Sequence, residues 1–196
     1  MNLKSFYVSI FLLILLLVTT SCSSPVNSPT HQAPQEVSRY QRKEWRHWSD
    51  FDGDCQKQRD EILIERSLAP VKYGKRNCKV KSGKWEDYYY PEVHTSSSAV
   101  DMDHLVPLKH AHQHGGASWP GDQKEKFAND PENLVITNKK YNRSKGAKSI
   151  AEWLPVNIQY ACKYVKDWMK VKSKYSLYIT PQEIDTHKRV LASCPQ

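Results

Sequence analysis

Four polar side chains in the middle of the chain have the residue types that hydrolysis of a phosphodiester bond requires. Asp103 and His104 stand together in "VDMDHLVPL", and Asn133 and Asn142 follow downstream. Histidine is the natural general base near neutral pH. Carboxylate and amide oxygens are the hard ligands that suit Mg²⁺. The set therefore predicts a site where a base activates water beside a divalent cation.

Lysines are dense around the last of these residues, in "NKKYNRSKGAK" (138–148). Any one of them is most simply a solvated surface residue, so the density of the group carries the signal. We predict that four of them contact nucleic acid phosphates: Lys139, Lys140, Lys145 and Lys148.

Two strands and a helix are expected to position the site. "SAVDMDHLVPL" (98–108) alternates as a strand that ends at Pro107. Residues 132–138 predict a short second strand, and residues 138–146 predict a helix that Gly146 ends.

The first strand raises a geometric problem, because neighbouring residues of a strand point to opposite faces. Asp103 and His104 can serve one site only where the strand ends or bends. Asp101 is expected to be a structural carboxylate rather than a site residue.

The remaining elements complete an α+β pattern. They are a helix within 55–68, a hairpin over 78–90 that turns at Ser82-Gly83, a helix over 121–130, a long amphipathic helix over 158–177, and a last helix from Thr180-Pro181 to Cys194.

The N-terminal segment predicts export. Residues 1–22 carry Lys4 and then an apolar run of signal-peptide length, which is short for a membrane span. Small residues before Cys22 favour a bacterial lipoprotein signal with Cys22 lipidated; an ordinary secretory peptide is the alternative. Residues 23–38 are rich in Ser and Pro and predict a flexible linker, so the domain is placed at 39–196.

The other four cysteines fit an oxidising compartment. They allow three pairings, and proximity along the chain favours Cys55–Cys78 and Cys162–Cys194. A zinc site built from all four is disfavoured, because no CxxC spacing occurs. The net charge of +8 favours a polyanionic partner, either nucleic acid or an anionic membrane surface.

Three further patterns each leave two interpretations open. His110 and His114 could form a metal pair on a helix or lie in a polar turn. "DFDGDC" (50–55) imitates a calcium loop, but a loop capped by its own aspartates is favoured. Four aromatic residues could stack on bases, although a core position is favoured: Trp45, Trp48, Trp85 and Tyr88.

"DMDHLVPL" and "FANDPENLVITNKKYNRSKG" resemble the HNH nuclease superfamily and its ββα-metal (His-Me finger) core. The chain resembles more narrowly the secreted HNH family related to the C-terminal domain of GmrSD-type restriction enzymes. "YQRKEWRHWSDFDGDCQKQRDEILIERS" and "WLPVNIQYACKYVKDWMKVKSKYSL" extend the likeness, which covers about residues 39 to 194. The resemblance implies a ββα-metal core with additional helices, stapled by disulfides.

The resemblance also implies a role for each site residue. His104 would be the general base and Asp103 a metal ligand. Asn133 would tie the loop and help to orient the histidine. Asn142 would be a metal ligand where many relatives have histidine, and Arg143 would contact the scissile phosphate. Asn at that position favours Mg²⁺, with Mn²⁺ or Zn²⁺ as alternatives.

The sequence therefore predicts an endonuclease that is secreted, or anchored by lipid to a bacterial cell envelope. It would cleave nucleic acid, DNA being favoured, with little sequence specificity and 5′-phosphate ends. No obligate protein partner is evident. Contact with a membrane is expected only through the signal peptide or the lipid anchor. The alternatives are a non-catalytic, surface-anchored DNA-binding protein and an envelope protein with a vestigial site.

Overall fold

The computed structural model describes residues 38–195. The predicted signal peptide, its Cys22 and the predicted linker up to residue 37 lie outside the described residues. None of the described helices is long and apolar enough to span a membrane.

The described part of the chain has an α+β fold, as predicted. Its helices are α1 (Gln58–Glu65), α2 (Leu108–Gln113), α3 (Gly121–Ala128), α4 (Lys139–Lys145), α5 (Ile158–Lys174) and α6 (Pro181–Ala192). Its strands are β1 (Lys72–Tyr73), β2 (Val80–Glu86), β3 (Val93–Ser96), β4 (Val100–His104) and β5 (Leu134–Asn138).

The strands form two small antiparallel sheets, one ordered β1-β2-β3 and the other made of β4 and β5. The register of the second sheet pairs His104 with Leu134 and Val100 with Asn138. The helix α4 follows β5 without a gap, so β4, β5 and α4 occur in the order that the sequence predicted.

The predicted hairpin turn at Ser82-Gly83 is wrong, because both residues lie within β2. This strand pairs with β1 on one edge and with β3 on the other. A residue without a side chain is needed at position 83 for a reason other than a turn. A Cβ at this position would lie 2.6 Å from the Trp85 ring and 2.7 Å from the Ser67 hydroxyl. Glycine here permits close packing within the strand.

Helix boundaries follow capping signals. Asn138 accepts a hydrogen bond from the Lys140 amide and begins α4, and Gly146 ends it with a φ of 55°. Thr180 and Glu183 form the capping box of α6. Three helices end before the predicted residue: α3 at Ala128, α5 at Lys174 and α6 at Ala192.

The β4–β5 sheet separates two hydrophobic cores. One face carries Val100, Met102, Leu134 and Ile136, and packs on α1 and β2 in what we call the α1 core. The other face carries Val135, which belongs to the larger α5 core around Trp168 and Tyr164. The side chains of successive residues of β4 therefore point alternately toward the two cores.

Two disulfides staple this domain, and they are the pairs predicted. Cys55–Cys78 joins the segment before α1 to the segment before β2. Cys162–Cys194 joins α5 to the chain just after α6. Each bond closes a loop and so restricts the unfolded chain.

Candidate functional site

His104 is the last residue of β4 and lies on the face of the sheet that belongs to the α1 core. The His104 Nε2–H donates to the Ala128 carbonyl at 2.8 Å. A carbonyl can only accept, so the proton sits on Nε2 and the lone pair is on Nδ1. No described residue makes a hydrogen bond to Nδ1. This atom is also not one of the fully buried side-chain atoms that lack a partner, so Nδ1 is not completely buried.

Burial lowers the pKa of His104 to about 3, and the positive charges of Arg42, His47 and Lys145 act in the same direction. A lowered histidine pKa keeps the imidazole neutral throughout the physiological range. The Nδ1 lone pair is therefore unprotonated at neutral pH, although the low pKa also means that the imidazole by itself binds a proton weakly.

The other side of the His104 ring is covered by aromatic residues. The Trp48 ring stacks on it with centroids 5.6 Å apart and planes at 27°. His47 lies edge-on to both rings, 5.2 Å from Trp48 and 6.1 Å from His104. Together these rings hold the orientation of the imidazole.

Asp103 faces the opposite core and is buried. Its Oδ2 accepts a hydrogen bond from the Tyr89 hydroxyl at 2.7 Å and lies 2.9 Å from Lys145 Nζ. Burial raises the pKa of Asp103 and lowers the pKa of Lys145, and their contact opposes both shifts. Lys145 also donates to the His104 carbonyl at 2.8 Å, so this pair fixes the end of β4.

Asp101 shares the Asp103 face, and it lies beside the predicted ligand on α4. The Asn142 Nδ2 donates to Asp101 Oδ2 at 3.1 Å, and both residues are only partly buried. The sequence assigned Asp101 a structural role outside the site, whereas its carboxylate contacts Asn142. The signal was present, because residues two apart on a strand share a face.

Asn133 is fully buried and holds the chain that follows His104. Its Oδ1 accepts from the Val106 amide at 2.8 Å, and its Nδ2 donates to the Val106 carbonyl at 3.3 Å. Its own carbonyl accepts from the Leu105 amide. Asn133 therefore joins the chain that follows β4 to the start of β5.

The four lysines that were predicted to contact phosphate divide into two groups. Lys139, Lys140 and Lys148 are exposed, as is Arg143. Lys145 has none of its surface exposed, and its ammonium is used by Asp103. A contact between Lys145 and nucleic acid does not fit this position, because a phosphate cannot reach a buried ammonium.

Asp87 positions the start of α4. Its buried carboxylate accepts hydrogen bonds from the Thr137 hydroxyl at 2.9 Å and the Asn138 amide at 2.5 Å. His94 lies 3.1 Å from the same carboxylate. Sequence reasoning missed this residue, because its role depends on contacts between distant segments.

The His110–His114 pair lies in a different place from the β4–α4 residues. The two rings stack 3.8 Å apart, and Glu183 and Lys172 are buried beside them. Lys172 Nζ lies 2.8 Å from Glu183 Oε2 and 3.1 Å from His110 Nε2. The ammonium already occupies the position that a cation would need.

The "DFDGDC" loop is capped by its own aspartates. Asp50 accepts hydrogen bonds from the Gly53 and Cys55 amides, and Asp54 accepts one from the Gln56 amide. This is the arrangement that the sequence favoured.

The four aromatic candidates fall into two environments. Trp45 and Trp85 are fully buried, so they belong to the cores. Tyr88 is partly buried and donates to Asp167. Trp48, also partly buried, is the one of the four that lies against His104.

The arrangement has one consequence for chemistry. His104 lies on one face of β4, and Asp101, Asp103 and Asn142 lie on the other face. Among the described strands, β4 pairs only with β5, so its second edge carries no partner strand. The predicted base and the predicted oxygen ligands therefore lie on opposite faces of one strand.

Comparison with known proteins identifies the family of the chain. Residues 56–193 match the family described as GmrSD restriction endonucleases, C-terminal domain. A protein of Arthroderma benhamiae described as an uncharacterized secreted protein is 34% identical over 165 residues, which are 83% of this chain and 78% of the relative. No solved structure matches the chain. The chain belongs to the family of the GmrSD C-terminal domain, and the resemblance found in the sequence is confirmed.

Proposed function

We propose that this protein is a metal-dependent endonuclease that hydrolyses phosphodiester bonds of nucleic acid, with DNA the favoured substrate. The proposal extends the nuclease-related character of the family to a particular reaction. Its main support is His104, whose Nε2–H is fixed on the Ala128 carbonyl so that Nδ1 is left as a base at the end of β4. In this proposal β4, β5 and α4 are a ββα-metal core.

His104 takes a proton from water at Nδ1, and the resulting hydroxide attacks phosphorus in line with the leaving 3′ oxygen. The negative charge of a bound phosphate raises the proton affinity of the imidazole, because it stabilises the imidazolium. A phosphodiester across the unpaired edge of β4 meets His104 on one side and the oxygen ligands on the other.

The ligand set fits a hard divalent cation. Asp101 would supply a carboxylate oxygen and Asn142 an amide oxygen. Asp103 would supply Oδ1, because its Oδ2 is held by the Tyr89 hydroxyl and by Lys145, which offsets one of the two negative charges. A half-turn of the Asn142 amide exchanges Nδ2 for Oδ1 and directs an oxygen toward Asp101. This oxygen set suits Mg²⁺, with Mn²⁺ or Zn²⁺ as alternatives. The cation, when bound, stabilises negative charge on the phosphate and the leaving oxygen.

Exposed cations on and after α4 would hold the substrate backbone. Arg143 would contact the scissile phosphate, and Lys139, Lys140 and Lys148 would contact its neighbours. Contacts of this kind carry no base information, so little sequence specificity is expected.

We propose that the protein works outside the cytosol. Two disulfides are stable in an oxidising compartment, and the Arthroderma benhamiae relative is named as secreted. The signal peptide at 1–22, and lipid on Cys22 that would anchor the protein to a bacterial envelope, remain predictions.

Cleavage of supercoiled plasmid tests the proposed reaction. Protein purified in oxidised form after export should convert plasmid to nicked and linear forms in Mg²⁺ or Mn²⁺, and EDTA should stop the conversion. Plasmid that stays supercoiled in both metals contradicts the proposal. Retention of DNA without nicking would identify the alternative, a non-catalytic DNA-binding protein.

Asp101→Ala tests the proposal that Asp101 is a ligand of the cation. We expect the Mg²⁺ concentration for half-maximal cleavage to rise roughly tenfold or more, because a ligand of the cation is lost. Titration of Mn²⁺ with calorimetry should show the same loss of affinity without depending on cleavage.

Asp185→Ala is the matched control, since Asp185 is exposed on α6. It should leave the metal dependence unchanged. If wild type and Asp101→Ala show the same metal dependence, Asp101 is not a ligand and its role is structural.

A further inference from the structure

Trp48 has a backbone conformation that a large side chain rarely adopts. Its φ is 62°, in the left-handed region, where a bulky residue is an outlier. Such a conformation persists when the surrounding structure enforces it, and it is common at functional sites. Here it places the indole over His104 while part of the ring stays exposed.

Two surface grooves meet at this indole. One has a volume of about 560 Å³ and is lined by Arg46, His47 and Phe51. The other has a volume of about 320 Å³ and is lined by Lys79, Lys81 and Ser98. Trp48 and Lys57 line both grooves, so together the grooves form one path that passes Trp48, the residue whose indole stacks on His104.

This path is positively charged. Lys57, Lys79 and Lys81 are exposed, and none of them forms an ion pair with another described residue. Three cations that lack a counter-charge along one groove favour a polyanion, because its phosphates release counterions when they bind.

The acidic groups that face the path are already engaged. Glu125 binds Arg46 at 2.7 Å, and Asp50 accepts hydrogen bonds from two backbone amides of its own loop. Asp60 is buried and accepts from the Val80 amide at 2.9 Å. These contacts reduce the repulsion that a phosphate would meet.

We infer that these two grooves bind a single strand of nucleic acid, with its phosphates on Lys57, Lys79 and Lys81 and an unpaired base on Trp48. We call this path the basic track. The inference rests on the proposed function for the identity of the polymer as nucleic acid. It adds that the nucleic acid is single-stranded and that it reaches His104 along these two grooves. It assigns binding to lysines at the starts of α1 and β2, in addition to the lysines of α4.

A single strand is chosen because of the indole. A base can stack on a tryptophan only when it is not paired, and such stacking tolerates any sequence. The position of Trp48 against His104 then places the stacked nucleotide next to the reacting phosphate.

Binding in EDTA tests the basic track separately from catalysis. The full protein is titrated onto a fluorescent, mixed-sequence single-stranded oligonucleotide at several salt concentrations. Lys79→Ser with Lys81→Ser should weaken binding roughly tenfold and lower the slope of log affinity against log salt by about 1.4, at about 0.7 for each lost phosphate contact.

The matched control removes the same charge elsewhere. Lys166 and Lys188 are exposed, lie on α5 and α6, and line neither groove. Changing both to Ser should leave the affinity and the salt slope close to those of the wild type. An equal loss in both double variants would mean a general charge effect and would overturn the basic track.

Trp48 is tested with two variants and two substrates. Trp48→Ala should weaken single-strand binding roughly tenfold, and Trp48→Phe should restore most of it, because a phenyl ring still stacks. Binding of a blunt duplex of the same sequence should be weaker and should not depend on Trp48. A duplex bound more tightly than the single strand would overturn the choice of strand.

The outcomes separate this inference from the proposed function. Cleavage in Mg²⁺ combined with unchanged binding of the Lys79/Lys81 variant would reject the basic track and keep the nuclease. Binding that depends on the track, combined with no cleavage in Mg²⁺ or Mn²⁺, would reject the nuclease and keep the track. Because both lysines are exposed, their replacement tests the track even if Trp48→Ala lowers stability.

Discussion

His104→Ala is expected to lower the rate of plasmid cleavage by roughly 10² to 10⁴-fold, which is the usual contribution of a general base. The imidazole is the group whose proton is fixed on one nitrogen and whose other nitrogen is left to accept a proton from water. Alanine removes that acceptor and leaves the proposed ligands on the opposite face of β4 in place. The rate should therefore fall while affinity for Mg²⁺ stays near that of the wild type.

The measurement is the initial rate of conversion of supercoiled to nicked plasmid at saturating Mg²⁺. His187→Ala is the control, because His187 lies on α6 and is not part of the site. Thermal unfolding and DNA binding in EDTA establish that His104→Ala is folded and still binds substrate. A folded His104→Ala protein that keeps more than about a tenth of the rate would remove His104 as the base.

The order of the site elements could be predicted because local signals define each of them. Alternating apolar residues defined β4, and Asn138 and Gly146 marked the two ends of α4. Asn133 was placed between them by its motif, and its side chain makes two hydrogen bonds with Val106. Its role in a reaction stays a prediction. These features need only short stretches of sequence.

Features that depend on packing between distant segments were missed. A pair such as Ser82-Gly83 is compatible with a turn, but Ser82 pairs with Lys72 of β1 and with Ser96 of β3, and this pairing continues the strand. Asp101 contacts Asn142, and Trp48 stacks on His104. Both of these contacts join residues far apart in the chain. The strand alternation places Asp101 on the same face as Asp103, but it does not predict that Asn142 lies beside Asp101.

The sequence alone does not distinguish a lysine that contacts phosphate from a lysine in an internal ion pair. Lys145 was predicted to contact phosphate, but it is buried and pairs with Asp103.

Lys145→Met is expected to lower the free energy of unfolding by about 3–5 kcal/mol, since it leaves the Asp103 carboxylate buried without a counter-charge. An exposed lysine that contacts nucleic acid would change stability by no more than about 0.5 kcal/mol. The size of the loss therefore decides between the two roles.

The loss should also depend on pH. Burial already raises the pKa of Asp103, and removal of Lys145 removes the contact that opposes this shift. The folded variant then holds a proton on Asp103 that the unfolded chain, with an Asp pKa of about 3.9, has released. Because the folded state binds more protons, stability falls as pH rises through the window between these two pKa values. The variant should be closer to wild type near pH 5 than near pH 8.

Urea unfolding of Lys145→Met in EDTA, where no divalent ion can bind the carboxylate, measures both effects. Lys140→Met removes the same charge from an exposed position of α4 and should unfold like the wild type at both pH values. Lys145→Met combined with Asp103→Leu removes both buried charges, so it should recover part of the lost stability. If Lys145→Met instead kept its stability and lost affinity for nucleic acid, the buried pair would be refuted, and the phosphate contact that the sequence suggested would stand.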